Sequence, residues 1–202
     1  MIKISEERRN IICTGYNPIN DIWCDNKNDD EDTTGLIVWS SSHILANYIE
    51  KNRSIYDLSS VVELGSGTGF MAVLLSTLGA RHITATDKSE KALNSITRTL
   101  TLNNINNVCI EFFSFGKSDS LPSFFTNATL VIACDVIYLV EQVEDLCFTI
   151  KLITCTAMIC SNLRSPSLIN MFDSSMSKLN LKFEKFQLDD HHVLHIIHPS
   201  HQ

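Results

Sequence analysis

A short apolar run, Val61-Val62, passes into Glu63-Leu64-Gly65-Ser66-Gly67-Thr68-Gly69-Phe70. A strand that ends in glycines and leads into a helix makes a turn where a ligand can approach the backbone closely. A dinucleotide fingerprint reads Gly-x-Gly-x-x-Gly and cradles a pyrophosphate at the helix N-terminus. Here the spacing is Gly-x-Gly-x-Gly, a carboxylate stands just before it, and no Gly-Lys-Ser/Thr follows. Glu63 would repel a pyrophosphate; it suits a cationic amino-acid group. Asp87 closes the next β-branched run, Ile83-Thr84-Ala85-Thr86. Its distance from the glycines is that at which doubly wound folds place the acid that binds ribose hydroxyls. The bland alternatives are a tight turn without a ligand and an Asp that caps a helix.

The elements that must position these residues alternate along the chain. Helix signals cover 40–51, 69–78, 89–103, 140–152 and 165–179, with Ser89 as an N-cap and Pro166 opening the last. Strand signals cover 60–64, 82–86, 108–113, 128–134 and 157–163, and two more, 181–188 and 193–197, close the chain. Alternating strands and helices imply βαβ units. The last two strands, joined by a short loop, imply an antiparallel hairpin. The expected fold is α/β: a Rossmann-like, doubly wound, mostly parallel seven-stranded sheet with an antiparallel C-terminal hairpin.

From about Gly35 onward the chain resembles the class I, seven-strand methyltransferases, and more narrowly the methyltransferase-like protein 21 group of protein-lysine methyltransferases. The motifs that carry the likeness are Gly35-Leu36-Ile37-Val38-Trp39, Val62 to Gly69, Leu78-Gly79-Ala80-Arg81 with Thr84 to Asp87, and Ala133-Cys134-Asp135-Val136-Ile137-Tyr138. The resemblance implies S-adenosyl-L-methionine as cofactor. It places Trp39 and Cys134 beside that cofactor, Glu63, Gly65, Ser66 and Gly67 around its methionine part, and Asp87 at its ribose. It sets Phe115 near the adenine, in Phe113-Ser114-Phe115-Gly116, where the family carries a Leu-Asp-Trp-Gly-like motif. Phe115 can still stack, but Ser114 removes a carboxylate. The resemblance also implies that Asp135 and Tyr138 border the pocket of the target amine. A carboxylate can hold a lysine ammonium, and an aromatic face attracts it.

The rest of the chain narrows the reading. The length of 202 residues suits one domain. The expected division is an N-terminal segment at 1–34, with an acidic loop over 25–34, and a methyltransferase domain at 35–202. That loop reads as solvated, with an acidic lip for a basic substrate as the sharper alternative. A net charge of −7 argues against a phosphate backbone as partner and favours a basic protein segment. The seven cysteines form no Cys-x-x-Cys pair and read as reduced thiols, so the expected location is the cytoplasm, with the nucleus as alternative. No membrane association and a monomer are expected. His191, His192, His195, His198 and His201 cluster near the end. Residues three apart on a strand point to opposite faces, so no metal site is expected, and these histidines read as edge and tail residues. The expected activity is transfer of a methyl group to lysine on a protein partner. The rivals are a small-molecule methyltransferase and a non-catalytic cofactor-binding module of the same fold.

Overall fold

The computed structural model describes residues 34–199. The segment 1–33, with Trp23 and most of the acidic loop, and the tail from Ser200 lie outside the described residues. A 3-10 turn at Thr34–Leu36 leads in. The elements then follow in the order α1 (Ser40–Lys51), β1 (Ser60–Leu64), α2 (Phe70–Thr77), β2 (His82–Asp87), α3 (Glu90–Leu102) and β3 (Val108–Phe112). The chain continues through β4 (Leu130–Cys134), α4 (Val140–Lys151), β5 (Thr156–Asn162), α5 (Pro166–Lys178), β6 (Phe183–Gln187) and β7 (His192–Ile197).

The strands form one seven-stranded sheet in the order β3-β2-β1-β4-β5-β7-β6. Neighbours from β3 through β5 are parallel, whereas β7 runs antiparallel to both β5 and β6. The C-terminal hairpin is therefore present, but its second strand is the inner one. The reason is burial. Every residue of β7 is buried, while β6 is exposed at four of its five positions and carries Glu184 and Lys185. A charged, half-solvated strand belongs at an edge.

Two apolar layers hold the sheet. Val61, Ile83, Leu130, Met158 and Leu194 face α1, α2 and α3; Val62, Leu64, Val131, Ile159 and Val193 face α4 and α5. The central strands are thus buried on both faces, which explains why they read as unbroken apolar runs. Each such side chain stabilises the fold by roughly 1.5–3 kcal/mol on burial. Helix α2 is buried from Phe70 to Leu75, all round its axis, because it is sandwiched in this layer. Helix α3 starts as expected: Ser89 Oγ accepts from the Ala92 amide at 3.4 Å, with Glu90 in the first turn. Pro166 occupies the first turn of α5, where no amide hydrogen is needed.

The strand order reverses between β1 and β4. At such a switch point the loops leaving the carboxyl ends diverge and open a crevice. The loop after β1 carries the glycines, and the loop after β4 carries Asp135 to Tyr138.

Candidate active site

The glycine loop is pinned before any ligand is considered. The Ser66 amide donates to the Thr86 carbonyl at 2.8 Å, the Thr86 amide donates to Ser66 Oγ at 3.0 Å, and Thr86 Oγ1 donates to the Glu63 carbonyl at 2.7 Å. The polar groups of Ser66 thus fasten the loop to β2. Asp87 does the same from the next strand end: Oδ2 accepts from the Gly67 amide at 3.0 Å and Oδ1 from the Ser89 amide at 2.9 Å. Gly67 has φ +53°, and a Cβ there would lie 2.8 Å from the Gly35 carbonyl oxygen. Gly65 has φ +67°, and its Cβ would lie 2.9 Å from Val136 Cγ1. Both glycines are required by backbone conformation and by close packing of the protein on itself, as well as by room for a ligand.

An open-sided crevice lies over this loop. Its wall takes in Trp39, Glu63, Gly65, Ser66 and Gly67, then Asp87, Phe115, Cys134, Asp135 and Tyr138. Every site residue expected from the sequence therefore meets in one crevice. The wall also includes Phe113 and Gln142, which sequence reasoning had not assigned to the site. Phe113 makes an edge contact with Phe115, at 6.4 Å between ring centroids, and packs on Phe124 and Phe125. The aromatic edge of the cavity is thus a cluster rather than a single ring.

Two carboxylates dominate the electrostatics. Glu63 is 3% exposed, and its Oε2 is buried without a hydrogen-bond partner among the described residues. Burial pushes its carboxyl up to about 8; Ser66 opposes the rise and the charge of Asp87 adds to it. A cation brought into the cavity would supply the missing partner and restore the ionised form. Asp135 is 8% exposed and sits at φ +54°, a left-handed conformation that Asp tolerates better than most residues. Its backbone amide donates to the Cys160 carbonyl at 2.9 Å, and its Oδ1 accepts from the Asn162 amide at 2.8 Å. These two bonds to β5 hold the unusual backbone. Oδ2 is left buried without a hydrogen-bond partner among the described residues. Cys134 lies between the two acids; burial pushes its thiol well above the usual range, with Cys160, Glu63 and Asp135 adding to the shift. It is an uncharged wall residue.

Beyond the wall, β5 and β7 contribute side chains whose role the sequence did not disclose. Arg164 Nη2 stands 3.6 Å from Asp135 Oδ1, and its guanidinium lies over the Trp39 ring at 4.3 Å from the centroid. Asn162 is the register partner of His192. His192 Nδ1 faces Asp189 Oδ1 at 2.8 Å, and its Nε2 faces Ser40 Oγ at 2.7 Å and Asn162 Nδ2 at 3.3 Å. This chain of polar contacts ties the start of α1 to the hairpin and buttresses Asn162, which in turn holds Asp135. The signal that would have found these residues is positional: Asn162, Leu163 and Arg164 leave the carboxyl end of β5, beside the switch point.

The histidines depart from the expectation of edge and tail residues. His192 is 5% exposed and His195 is fully buried, because β7 is an inner strand. They do point to opposite faces. His192 reaches Ser40 of α1, while His195 Nε2 meets Asp173 Oδ1 of α5 at 2.7 Å. Burial lowers the His195 pKa, and Asp173 opposes that shift. His191 and His198 are exposed, as expected, His198 being paired with Glu184 at 2.9 Å, and His201 lies outside the described residues. Among the described residues no group of three or more His, Cys, Asp or Glu side chains is arranged to hold a metal ion.

Comparison with known proteins agrees with this architecture. Among solved structures, a SAM-dependent methyltransferase from Aquifex aeolicus superposes with a TM-score of 0.63 at 11% identity, over 81% of this chain and 100% of that one. The ribosomal protein L11 methylase of Lactobacillus delbrueckii subsp. bulgaricus superposes with a TM-score of 0.60 at 16% identity, over 80% and 79%. These likenesses establish the fold as that of class I methyltransferases. In sequence, the chain is 32% identical over 129 residues to the protein-lysine methyltransferase METTL21E of Bos taurus, covering 60% of this chain and 44% of that protein. It is 31% identical over 113 residues to the protein N-lysine methyltransferase METTL21A of Xenopus tropicalis, covering 54% and 51%. The chain spans about half the length of the curated relatives it matches. The family model described as lysine methyltransferase matches residues 20–172, three quarters of the sequence, and the chain belongs to that family.

Proposed function

We propose that this chain is an S-adenosyl-L-methionine-dependent N-methyltransferase that acts on a lysine side chain of a protein partner. One observation carries the reading: of the three buried carboxyl groups in this crevice, Glu63 and Asp135 each keep an oxygen with no hydrogen-bond partner among the described residues. The reaction needs two cationic groups accommodated there, the ammonium of the cofactor's amino-acid part and the lysine of the substrate. The residues fit the cofactor. Glu63 Oε2 is an unused acceptor beside the glycine loop. Asp87 retains lone pairs for ribose hydroxyls after its bonds to Gly67 and Ser89. Phe113 and Phe115 offer apolar ring surface at the far edge.

When bound, S-adenosyl-L-methionine supplies a methyl group activated by a positively charged sulfur. The protein's task is alignment and proton handling. Asp135 Oδ2 accepts a hydrogen bond from the target ammonium, and Tyr138 and Trp39 give that cation aromatic walls. The ammonium must lose a proton to water before its nitrogen can use its lone pair. Fixing the nitrogen in line with the methyl carbon replaces a bimolecular encounter by a positioned one, worth orders of magnitude in rate. Asp135 is fixed for this purpose by Asn162 and the Cys160 carbonyl, as its left-handed backbone requires.

The free thiols of Cys109, Cys134, Cys147, Cys155 and Cys160 support action in a reducing compartment, and we propose the cytoplasm. No described helix is long and apolar enough to cross a membrane. The test is transfer of labelled methyl from S-adenosyl-L-methionine to proteins of a heat-treated cell extract, followed by mass spectrometry of the labelled residue. Label on a lysine side chain, lost with Asp135→Asn, supports the reading. Label only on small molecules, or none from a chain that binds the cofactor, refutes it.

A further inference from the structure

The amine site proposed above already contains a cation. Arg164 leaves the end of β5 and places Nη2 3.6 Å from Asp135 Oδ1, while its guanidinium stacks on Trp39 at 4.3 Å. A carboxylate and an aromatic face are the two kinds of partner that a substrate ammonium would want. Arg164 uses one oxygen of Asp135 and leaves Oδ2, which is buried and unpartnered. The arginine side chain is 51% exposed, against 3% for Asp135, so it stands on the solvent side of the acid.

This arrangement addresses a difficulty in the chemistry. A lysine amine titrates near 10.4, so only about one molecule in 2,500 is neutral at pH 7. A lone buried carboxylate makes that worse, because it stabilises the ammonium. The groups that face this position are Asp135 and Tyr138 after β4, Cys134 at the end of β4, Glu63 from β1, Asp87 at the end of β2 with Lys88 after it, and Arg164 after β5. His192 and Asp189 of the hairpin stand behind Asn162. Arg164 is the cation in direct ion-pair contact with Asp135, and it cancels that acid's charge. Guanidinium is never neutral in a protein, so its influence does not fade with pH.

Resting on the reading of this crevice as a lysine site, we propose that Arg164 is a positioning residue that selects the neutral form of the target amine. Asp135 Oδ2 accepts the amine's hydrogen bond, and Arg164 repels the extra charge of the ammonium, so the proton passes to bulk water. The amine nitrogen then forms its bond to the methyl carbon with its lone pair. The broken carbon–sulfur bond returns its electron pair to sulfur, whose positive charge disappears, and the second proton lost from nitrogen restores a neutral methylamine. A unit charge on the order of 6 Å from the amine, at an effective dielectric of about 20, is worth about two pH units, and the exposure of Arg164 to solvent cuts that to about one. That raises the neutral fraction at pH 7 about tenfold.

The experiment uses the full chain saturated with S-adenosylhomocysteine and a probe, Nα-acetyl-lysine methylamide labelled with ¹³C at the ε carbon. The ε-carbon chemical shift against pH reads the protonation of the bound amine directly. The wild type is expected to hold the amine about one pH unit below Arg164→Met. Arg164→Lys, which keeps the charge but not the planar stack, is expected to restore most of the shift. A merely structural role for Arg164 would change how much probe binds without moving its titration. Equal titration in wild type and Arg164→Met, with binding still lost in Asp135→Asn, overturns this proposal and leaves the lysine site standing. A probe that fails to bind the wild type, or that binds Asp135→Asn equally well, overturns the lysine site and this proposal with it.

Discussion

On the proposed reading, Glu63 makes the binding of the cofactor's amino-acid end depend on pH in a way that can be worked out in advance. In the free protein its carboxyl titrates at about 8, raised by burial from 4.5. At neutral pH it is therefore mostly protonated, whereas pairing with an ammonium needs it ionised. Binding must release a proton, and affinity must rise with pH until Glu63 is ionised. The ligand's own amino group, at about 7.8, loses its charge over the same upper range. The product of the two fractions rises about eightfold from pH 6 to 7 and about 20-fold from pH 6 to 8, then falls. Calorimetric titration with S-adenosylhomocysteine, in buffers of different ionisation enthalpy, reads both affinity and proton count. About 0.9 proton should leave on binding at pH 6.5. Glu63→Gln should bind more weakly by about tenfold to 150-fold, and its residual affinity should lose the rise with pH. The same substitution should stabilise the free protein. The folded-state carboxyl is raised above its unfolded value, so stability is lost as pH rises between 4.5 and about 8. At pH 7 that cost is on the order of 3 kcal/mol, which Glu63→Gln removes, and its melting temperature should exceed that of the wild type. Affinity that is flat from pH 6 to 7, with no proton released, would refute the assignment of Glu63 to a cationic group.

Further expectations concern single side chains. Gly67→Ala forces a Cβ to 2.8 Å from the Gly35 carbonyl at φ +53°, and should cost about 1–3 kcal/mol, seen as a lower melting temperature and weaker S-adenosylhomocysteine binding. Asp135→Asn keeps a residue type that tolerates φ +54° but removes the charge; methyl transfer should fall by about 10²–10⁴-fold while S-adenosylhomocysteine binding, followed by calorimetry, is unchanged. His192→Ala deletes the link between Ser40, Asp189 and Asn162, and should lower stability by about 2–4 kcal/mol in urea unfolding. His195, buried and depressed below its usual range, favours the neutral form, so its contribution should be lost as pH falls below about 6.5, readable as a drop in melting temperature that His195→Asn lessens.

Much of this was legible in the sequence because local signals and tertiary roles coincide. Ser60–Leu64 was read to the residue, since an apolar run meets a glycine whose positive φ cannot belong to a strand. The acids of the site were legible for a related reason: Glu63, Asp87 and Asp135 each lie within one residue of the end of a buried strand, where a carboxylate needs something to pair with it. The order of the last two strands was not legible. His192 and His195 break an otherwise apolar run, so β7 reads as no more buried than β6. The sequence cannot announce that Ser40 and Asp173, 152 and 22 residues away, meet the Nε2 atoms of those imidazoles. Arg164 was hidden for the same reason. An exposed arginine after a strand is ordinary until Asp135 and Trp39, from two other segments, are seen to converge on it.

Glu63 and Asp135 look alike in sequence, each close to a strand end, yet on the proposed reading their surroundings suit them to different tasks. Glu63 lies in the floor, without a cation beside it, and its raised pKa leaves it neutral until a positive ligand arrives. That makes it a conditional partner, suited to holding an ammonium tightly throughout a turnover. Asp135 is braced by two bonds to β5 and already shares one oxygen with a guanidinium. A group that must gain a substrate cation, let it lose a proton and then release a methylated product is better served by that partly neutralised pair than by a bare acid. If the environments were exchanged, the cofactor's ammonium would meet a neighbouring arginine and the substrate amine would be locked in its protonated form. On this proposal, the placement of Arg164 just after β5, next to Asp135 and away from Glu63, is what would allow one cavity to bind one amine as a cation and use another as a nucleophile.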